Sequence, residues 1–207
     1  MSRVLLINGS PHARGCTFTA LSTVADRLEV EGITTEIVHV GHKPIRGCIG
    51  CYRCRDLGHC VFDDLVNHVA EKFHDADGIV IGSPVYYAGA AGTLVSFLDR
   101  LFFSTSFDKR FKVGAAVVSA RRMGTTATLD QLNKYFLHGE MPVAASRYWN
   151  AVHGNTPHEV MKDEEGLQTM RVLGDNMAFL IRAIDAERNR NCLPMQEPTR
   201  IATNFIR

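Results

Sequence analysis

Gly78-Ile79-Val80-Ile81-Gly82-Ser83-Pro84-Val85-Tyr86-Tyr87-Ala88-Gly89 sets out the pattern of the chain. A short apolar run over 78–82, closed by glycine and followed by proline, reads as a buried strand entering a loop. Beyond it Leu94, Phe97, Leu98 and Leu101 share one face of a helix. The same strand, turn and helix recur on either side. Upstream, residues 4–7 are apolar and end at Asn8-Gly9-Ser10-Pro11; Phe18, Leu21, Val24, Ala25 and Leu28 then follow at helical spacing, with Thr17 expected as N-cap and Gly32 as stop. Residues 35–40 alternate β-branched and polar side chains as a second strand does, and a helix is expected over 63–74. Downstream, 111–119 reads as a fully buried strand, and Leu129, Leu132 and Phe136 mark a helix. A fifth strand is expected at 142–145 and a loop over 148–158. Leu167, Met170, Leu173, Met177, Leu180 and Ile184 outline a long last helix.

Strands alternating with helices imply a parallel sheet with helices on both faces and right-handed crossovers. For five strands the expected α/β solution is the flavodoxin-like, doubly wound order 2-1-3-4-5, which binds ligands beyond the carboxyl ends of the strands at the switch point. The 207 residues suit one domain that removes roughly 70% of its unfolded surface from water. We expect that domain over 1–188, with a cysteine-rich insertion at 44–62 and an irregular tail at 189–207. Apolar Leu193, Ile201, Phe205 and Ile206 lie outside any periodic element, as in an arm against a neighbouring subunit or in a frayed end. Lys and Arg number 23 against 22 Asp and Glu, which gives no electrostatic case for nucleic acid or an anionic membrane. Only four consecutive apolar residues precede Asn8, too few for a signal-peptide core, and no stretch approaches a membrane span; the expected compartment is the cytoplasm.

Three loops have unusual composition, and they are the three that a switch point brings together. The first, Gly9-Ser10-Pro11-His12-Ala13-Arg14-Gly15-Cys16-Thr17, combines glycines, hydroxyls, cations and a helix start, the ingredients of a phosphate cradle. It has neither the Walker lysine nor the spacing of the dinucleotide fingerprint. The second, residues 83–89, offers Pro84 for stiffness, Val85 and Tyr86 for backbone donors, and Tyr86 and Tyr87 for stacking on a planar ring such as a flavin. The third supplies Ser119, Ala120, Arg121 and Gly124, with a cation placed to stabilise negative charge on such a ring. The nine histidines include no catalytic zinc spacing, and Tyr148 to Asn150 read as a loop against the sheet edge.

Cys48, Cys51, Cys54 and Cys60 form a C-x2-C-x2-C-x5-C run, with Gly47, Gly50 and Gly58 to permit the turns. Such spacing can wrap a 4Fe-4S cluster, hold structural zinc, or leave free thiols; a disulfide framework does not suit a reducing compartment. Cys16 and Cys192 read as fillers.

These motifs resemble those of the NADPH-dependent FMN reductase superfamily of flavodoxin-like proteins, and within it the iron-sulfur flavoprotein group. The likeness is carried by Gly9-Ser10-Pro11, the cysteine run, Gly-x-Cys-x-x-Asp-Asp at 58–64, Gly82 to Tyr87, Phe97-Leu98-Asp99-Arg100 and Tyr148-Trp149-Asn150. The resemblance implies that Ser10, Thr17 and the intervening backbone hold the FMN phosphate, Pro84, Val85, Tyr86 and Tyr87 the ring, and Ala120, Arg121 and Gly124 its far edge. His12 and Cys16 stand where the family has Arg and Asn, so Arg14 would supply the phosphate charge. The implied activity is electron transfer from NADPH or NADH through FMN, by way of a 4Fe-4S cluster, to a small-molecule acceptor or a ferredoxin-like protein. The alternative is a noncatalytic flavin and iron-sulfur electron carrier. Members of the family commonly form homodimers or homotetramers.

Overall fold

Alternation between two faces governs the central strands. In β1 (Arg3–Asn8), Val4 and Leu6 enter one apolar cluster while Leu5 and Ile7 enter the other. The structure, a computed structural model, describes residues 2–195 and Thr203. After β1 come α1 (Cys16–Val30), β2 (Thr34–His39), α2 (Cys54–Leu57), α3 (Leu65–Asp75), β3 (Gly78–Tyr86), β4 (Gly89–Ala90) and α4 (Gly92–Ser104). The chain continues through β5 (Val113–Ala120), α5 (Thr125–His138), β6 (Ala151–His153), α6 (Pro157–Val160) and α7 (Glu164–Asn189).

The sheet runs β2-β1-β3-β5-β6 with every one of these neighbours parallel, and the two-residue β4 folds back on β3 as an antiparallel rung. Apart from that small hairpin this is the expected doubly wound order. Helices α1, α6 and α7 contribute to the cluster on one face, and α3, α4 and α5 to the cluster on the other. Burial on both faces suits the small and, apart from Ser119, apolar residues of β5, all eight of which are buried.

Three boundaries differ from the sequence reading. Helix α1 begins at Cys16 with Gly15 as N-cap, which has no side chain to cap with, and Thr17 lies inside the helix, its hydroxyl bonded to Ser119 Oγ at 2.8 Å. Strand β3 does not stop at Gly82 but runs on to Tyr86, since residues past Pro84 pair with β4. The fifth parallel strand is 151–153 rather than 142–145. Residues near 143 make a single parallel bridge to Gly114, and the chain then leaves the sheet and rejoins β5 at Val118. The excursion at 146–150 is closed by Ser146 Oγ donating to Asn150 Oδ1 at 2.6 Å. In the tail, α7 reaches Asn189, and the expected arm residues Ile201, Phe205 and Ile206 lie outside the described residues. Among the described residues no helix is long and apolar enough to cross a membrane.

Close approach of α5 to the sheet requires a missing side chain at Gly114, where a Cβ would sit 2.6 Å from the ring of buried Phe136. Gly114→Ala should therefore destabilise the protein by roughly 1–3 kcal/mol through overpacking. A fall in the urea midpoint with an unchanged slope is the expected reading.

Candidate functional site

The three loops meet at the carboxyl edge of the sheet. Thr17, 1% exposed at the start of α1, is joined to Ser119 at the end of β5 by the hydroxyl bond just described. Gly124, with φ of +92°, packs so closely on the second loop that a Cβ there would lie 2.9 Å from Ala88 Cα and from Val85 Cγ1. The first loop thus touches the third, and the third touches the second.

The first loop is braced from below. Asn8, fully buried, donates from Nδ2 to the Ala13 carbonyl at 3.1 Å and accepts from the Ser10 amide at 3.1 Å. Ser10 Oγ accepts from the His12 amide at 3.2 Å, and the His39 ring bonds the Ser10 carbonyl at 2.7 Å. Gly41 leaves no room for a Cβ beside the carbonyls of Gly9 and Ser10. The first intrahelical bond of α1 runs from Thr19 to Gly15, so the amides of Cys16, Thr17 and Phe18 precede it and face the loop with no side-chain cap. His12 and Arg14 are exposed on the loop, and Gly15 and Cys16 half-buried, opposite residues 155–157 across a shallow cleft. Burial pushes the Cys16 thiol above its ordinary pKa.

At the tip of the second loop Tyr87 and Ala88 carry φ of 51° and 57°, a left-handed conformation that costs non-glycine residues about 1 kcal/mol each. Tyr86 is half exposed and Tyr87 fully exposed beside them. Ser83 Oγ accepts from the Ala91 amide at 3.0 Å, and Gln131 Oε1 from the Ala90 amide at 2.8 Å, so both ends of this strained turn are held. Arg121 is exposed on the third loop.

The cysteine run forms a second feature. Cys48, Cys51, Cys54 and Cys60 all line one small cavity, together with Ile49, Tyr52, Val61, Phe62, Arg100, Phe103 and Ser104. All six cysteines of the chain are free, and among the described residues no three His, Cys, Asp or Glu side chains are gathered tightly enough to hold a single metal ion. Burial pushes the Cys54 thiol up, and its neighbours Cys51, Cys60 and Cys48 add to the shift. Arg100, 1% exposed, ties the segment to α4: Nε donates to Cys60 Sγ at 3.2 Å, and Nη1 and Nη2 donate to Asp64 at 2.7 and 2.9 Å. Burial alone would lower the Arg100 pKa, but the bonds to Asp64 and Cys60 outweigh it and hold the pKa above its ordinary value.

A profile of NADPH-dependent FMN reductases matches residues 2–156. The chain belongs to that family. An iron-sulfur flavoprotein of Methanocaldococcus jannaschii is 34% identical over 190 residues, covering 88% of this chain and 98% of the relative. Another, from Methanosarcina thermophila, is 26% identical over 189 residues and covers 89% and 97%. RosB, solved with bound 8-demethyl-8-formylriboflavin-5'-phosphate, superposes with a TM-score of 0.73 at 18% identity over 100% of this chain and 94% of its own, which is a likeness of fold. As an FMN reductase family member grouped with the iron-sulfur flavoproteins, the chain is an FMN-binding oxidoreductase.

Several residues that build the loop junction and the cysteine cavity were not singled out by sequence reasoning. Asn8, His39 and Gln131 act through backbone bonds that no residue pattern announces. Asp64 and Arg100 lay within quoted motifs, but their pairing across 36 positions needed the fold. Ser104, 5% exposed in the last turn of α4, gave no signal at all.

Asp64 also caps α3 by accepting from the Val66 amide, and asparagine keeps that cap while removing the charge. Asp64→Asn leaves buried Arg100 without its counter-ion and should cost about 3 kcal/mol, at the low end for a broken buried pair because a third of the Asp64 side chain stays in water. Urea denaturation of the two proteins side by side measures it.

Proposed function

We propose that this protein is an NAD(P)H-dependent FMN oxidoreductase that passes electrons from a nicotinamide to a small-molecule or ferredoxin-like acceptor by way of a 4Fe-4S cluster on its four clustered cysteines. The observation that carries the reading is the meeting of three loops around an uncapped helix start. That arrangement suits a phosphorylated flavin: free amides for an anion at one end, and stiff, partly aromatic backbone at the other. When bound, FMN supplies a ring that accepts hydride from NADPH or NADH, and the cluster supplies single-electron transfer onward.

The chain's own residues then have distinct tasks. The amides of Cys16 and Thr17, with Ser10 and the backbone through Gly15, hold the phosphate, and Arg14 and His12 on the rim supply positive charge and donors. Pro84, Val85, Tyr86 and Tyr87 flank the ring, and Tyr87 stands where it can shield one face from water. Ser119, Ala120, Arg121 and Gly124 border the far edge, where the exposed guanidinium of Arg121 favours negative charge. Four cysteines line the one cavity, the ligand number that a 4Fe-4S cluster takes, and the run lacks the two separated close pairs usual for structural zinc.

Ile49, Tyr52, Leu57, Val61 and Phe103 are exposed apolar side chains in and beside that cavity. They support a homodimer or homotetramer in which a second copy covers the cysteines. Six unpaired cysteines suit a reducing cytoplasm.

Anaerobically purified protein should show flavin absorbance and a broad sulfur-to-iron band that bleaches with dithionite; flavin bands alone would rule out the cluster. NADPH or NADH should reduce the bound flavin within the turnover time in stopped flow, whereas a passive carrier would stay oxidised. Gly124→Val, which forces the second and third loops apart, should raise the FMN dissociation constant at least about tenfold, a loss of ~1.4 kcal/mol, in a fluorescence titration with apoprotein.

A further inference from the structure

We propose that Arg100 and Ser104 form a pair of hydrogen-bond donors that raises the reduction potential of the iron-sulfur group held by Cys48, Cys51, Cys54 and Cys60. The inference rests on the cluster reading above and assigns these two residues as positioning and tuning groups toward it. They stand four residues apart on α4, so they occupy one helix face a turn apart, and both line the cysteine cavity.

Arg100 cannot turn away from the cavity. Asp64 engages both terminal nitrogens, the carbonyls of Arg46 and Phe62 accept further bonds at 3.4 Å, and the Phe62 ring lies 5.1 Å from the guanidinium carbon. Only Nε remains for the sulfur of Cys60, and it is committed there at 3.2 Å. The donor is therefore fixed before any guest arrives, and the guest meets it without reorganisation.

Ser104 supplies the independent observation. Its Oγ is buried and has no hydrogen-bond partner among the described residues. A serine late in a helix ordinarily bonds back to the carbonyl four residues earlier. The adjacent Thr105 does so, donating to the Leu101 carbonyl at 2.7 Å, while Ser104 does not. A buried hydroxyl left without a partner is costly, and apart from the four cysteines and Arg100 the side chains around the cavity are Ile49, Tyr52, Val61, Phe62 and Phe103, of which only the Tyr52 hydroxyl could accept. The acceptors that four metal-bound cysteines and the bridging sulfides would bring are the partners this hydroxyl lacks.

Hydrogen bonds to cluster sulfur stabilise the reduced form more than the oxidised one, because reduction adds negative charge to the sulfurs. In an apolar cavity the effect is weakly screened. The Arg100 charge acts in the same direction. Asp64 offsets part of it from the far side of the guanidinium, but the donated N–H is nearer to the sulfur.

The test uses the full chain, purified anaerobically and reconstituted with ferrous iron and sulfide, with wild type, Ser104→Ala, Ser104→Thr and Arg100→Lys compared. Iron content and the visible spectrum report occupancy; a redox titration followed by electron paramagnetic resonance reports the cluster midpoint, with the bound flavin as internal reference. Ser104→Ala should keep its iron and shift the cluster midpoint to a more negative value while the flavin midpoint stays fixed, and Ser104→Thr should restore it. Arg100→Lys, which keeps the charge and loses the Nε donor, should shift in the same direction. If Arg100→Lys does not fold, Ser104→Ala decides. A Ser104→Ala protein with full iron and an unmoved cluster midpoint overturns the inference and leaves the cluster reading standing. Wild type that takes up no iron overturns both.

Discussion

One backbone bond locates the whole functional edge: the Gly9 amide donates to the Gly82 carbonyl at 2.9 Å, just where β1 ends beside β3. Neither glycine has space for a side chain. A Cβ on Gly9 would meet Leu94 of α4, and one on Gly82 would meet Leu21 and Thr17 of α1, so a helix closes in at each. Because β1 ends here while β3 runs on beside it, with helices pressed against both faces, the first loop has only the carboxyl edge to occupy. The Thr17 bond to Ser119 then fixes the third loop to the first. The start of α1 lacks a side-chain cap because glycine, Gly15, holds the N-cap position, while the Thr17 hydroxyl just inside the helix holds β5.

The cysteine segment obeys a different logic. Between β2 and α3 the described chain has only the four-residue α2 as regular structure, so backbone ladders contribute little to its shape. Arg100 replaces them by reaching from α4 to Cys60, Asp64 and the carbonyls of Arg46 and Phe62. A buried cation with one strong counter-ion is a costly way to hold a loop, and it makes the segment sensitive to the loss of either partner. In return the side chains on the cavity wall stay in place while their thiols remain free.

The fold was legible because its central strands are buried on both faces and its helices on one, so apolar runs and helical periodicities could not be mistaken for each other. Val80 between Ile79 and Ile81 is the plainest case. The edge strand was misread because Val143 and Val152 both look like strand residues, and only the excursion between them decides which one pairs at length. Loop composition pointed to where the loops meet. It could not reveal Asn8 or His39 as braces, since both act on backbone atoms, and a single buried polar residue in an apolar run carries no pattern. Thr17 looked like a cap for the same reason: a hydroxyl near a helix start is ambiguous until its partner across the sheet is known.

The interrupted border beside β5 has a bearing on how copies of the chain can associate. A ladder available to a neighbouring strand must run unbroken for several residues. Here one isolated bridge and a three-residue strand, separated by a bulging excursion, occupy that flank. Pairing strand to strand finds no continuous template there, so that flank does not suit extension of the sheet by a second chain.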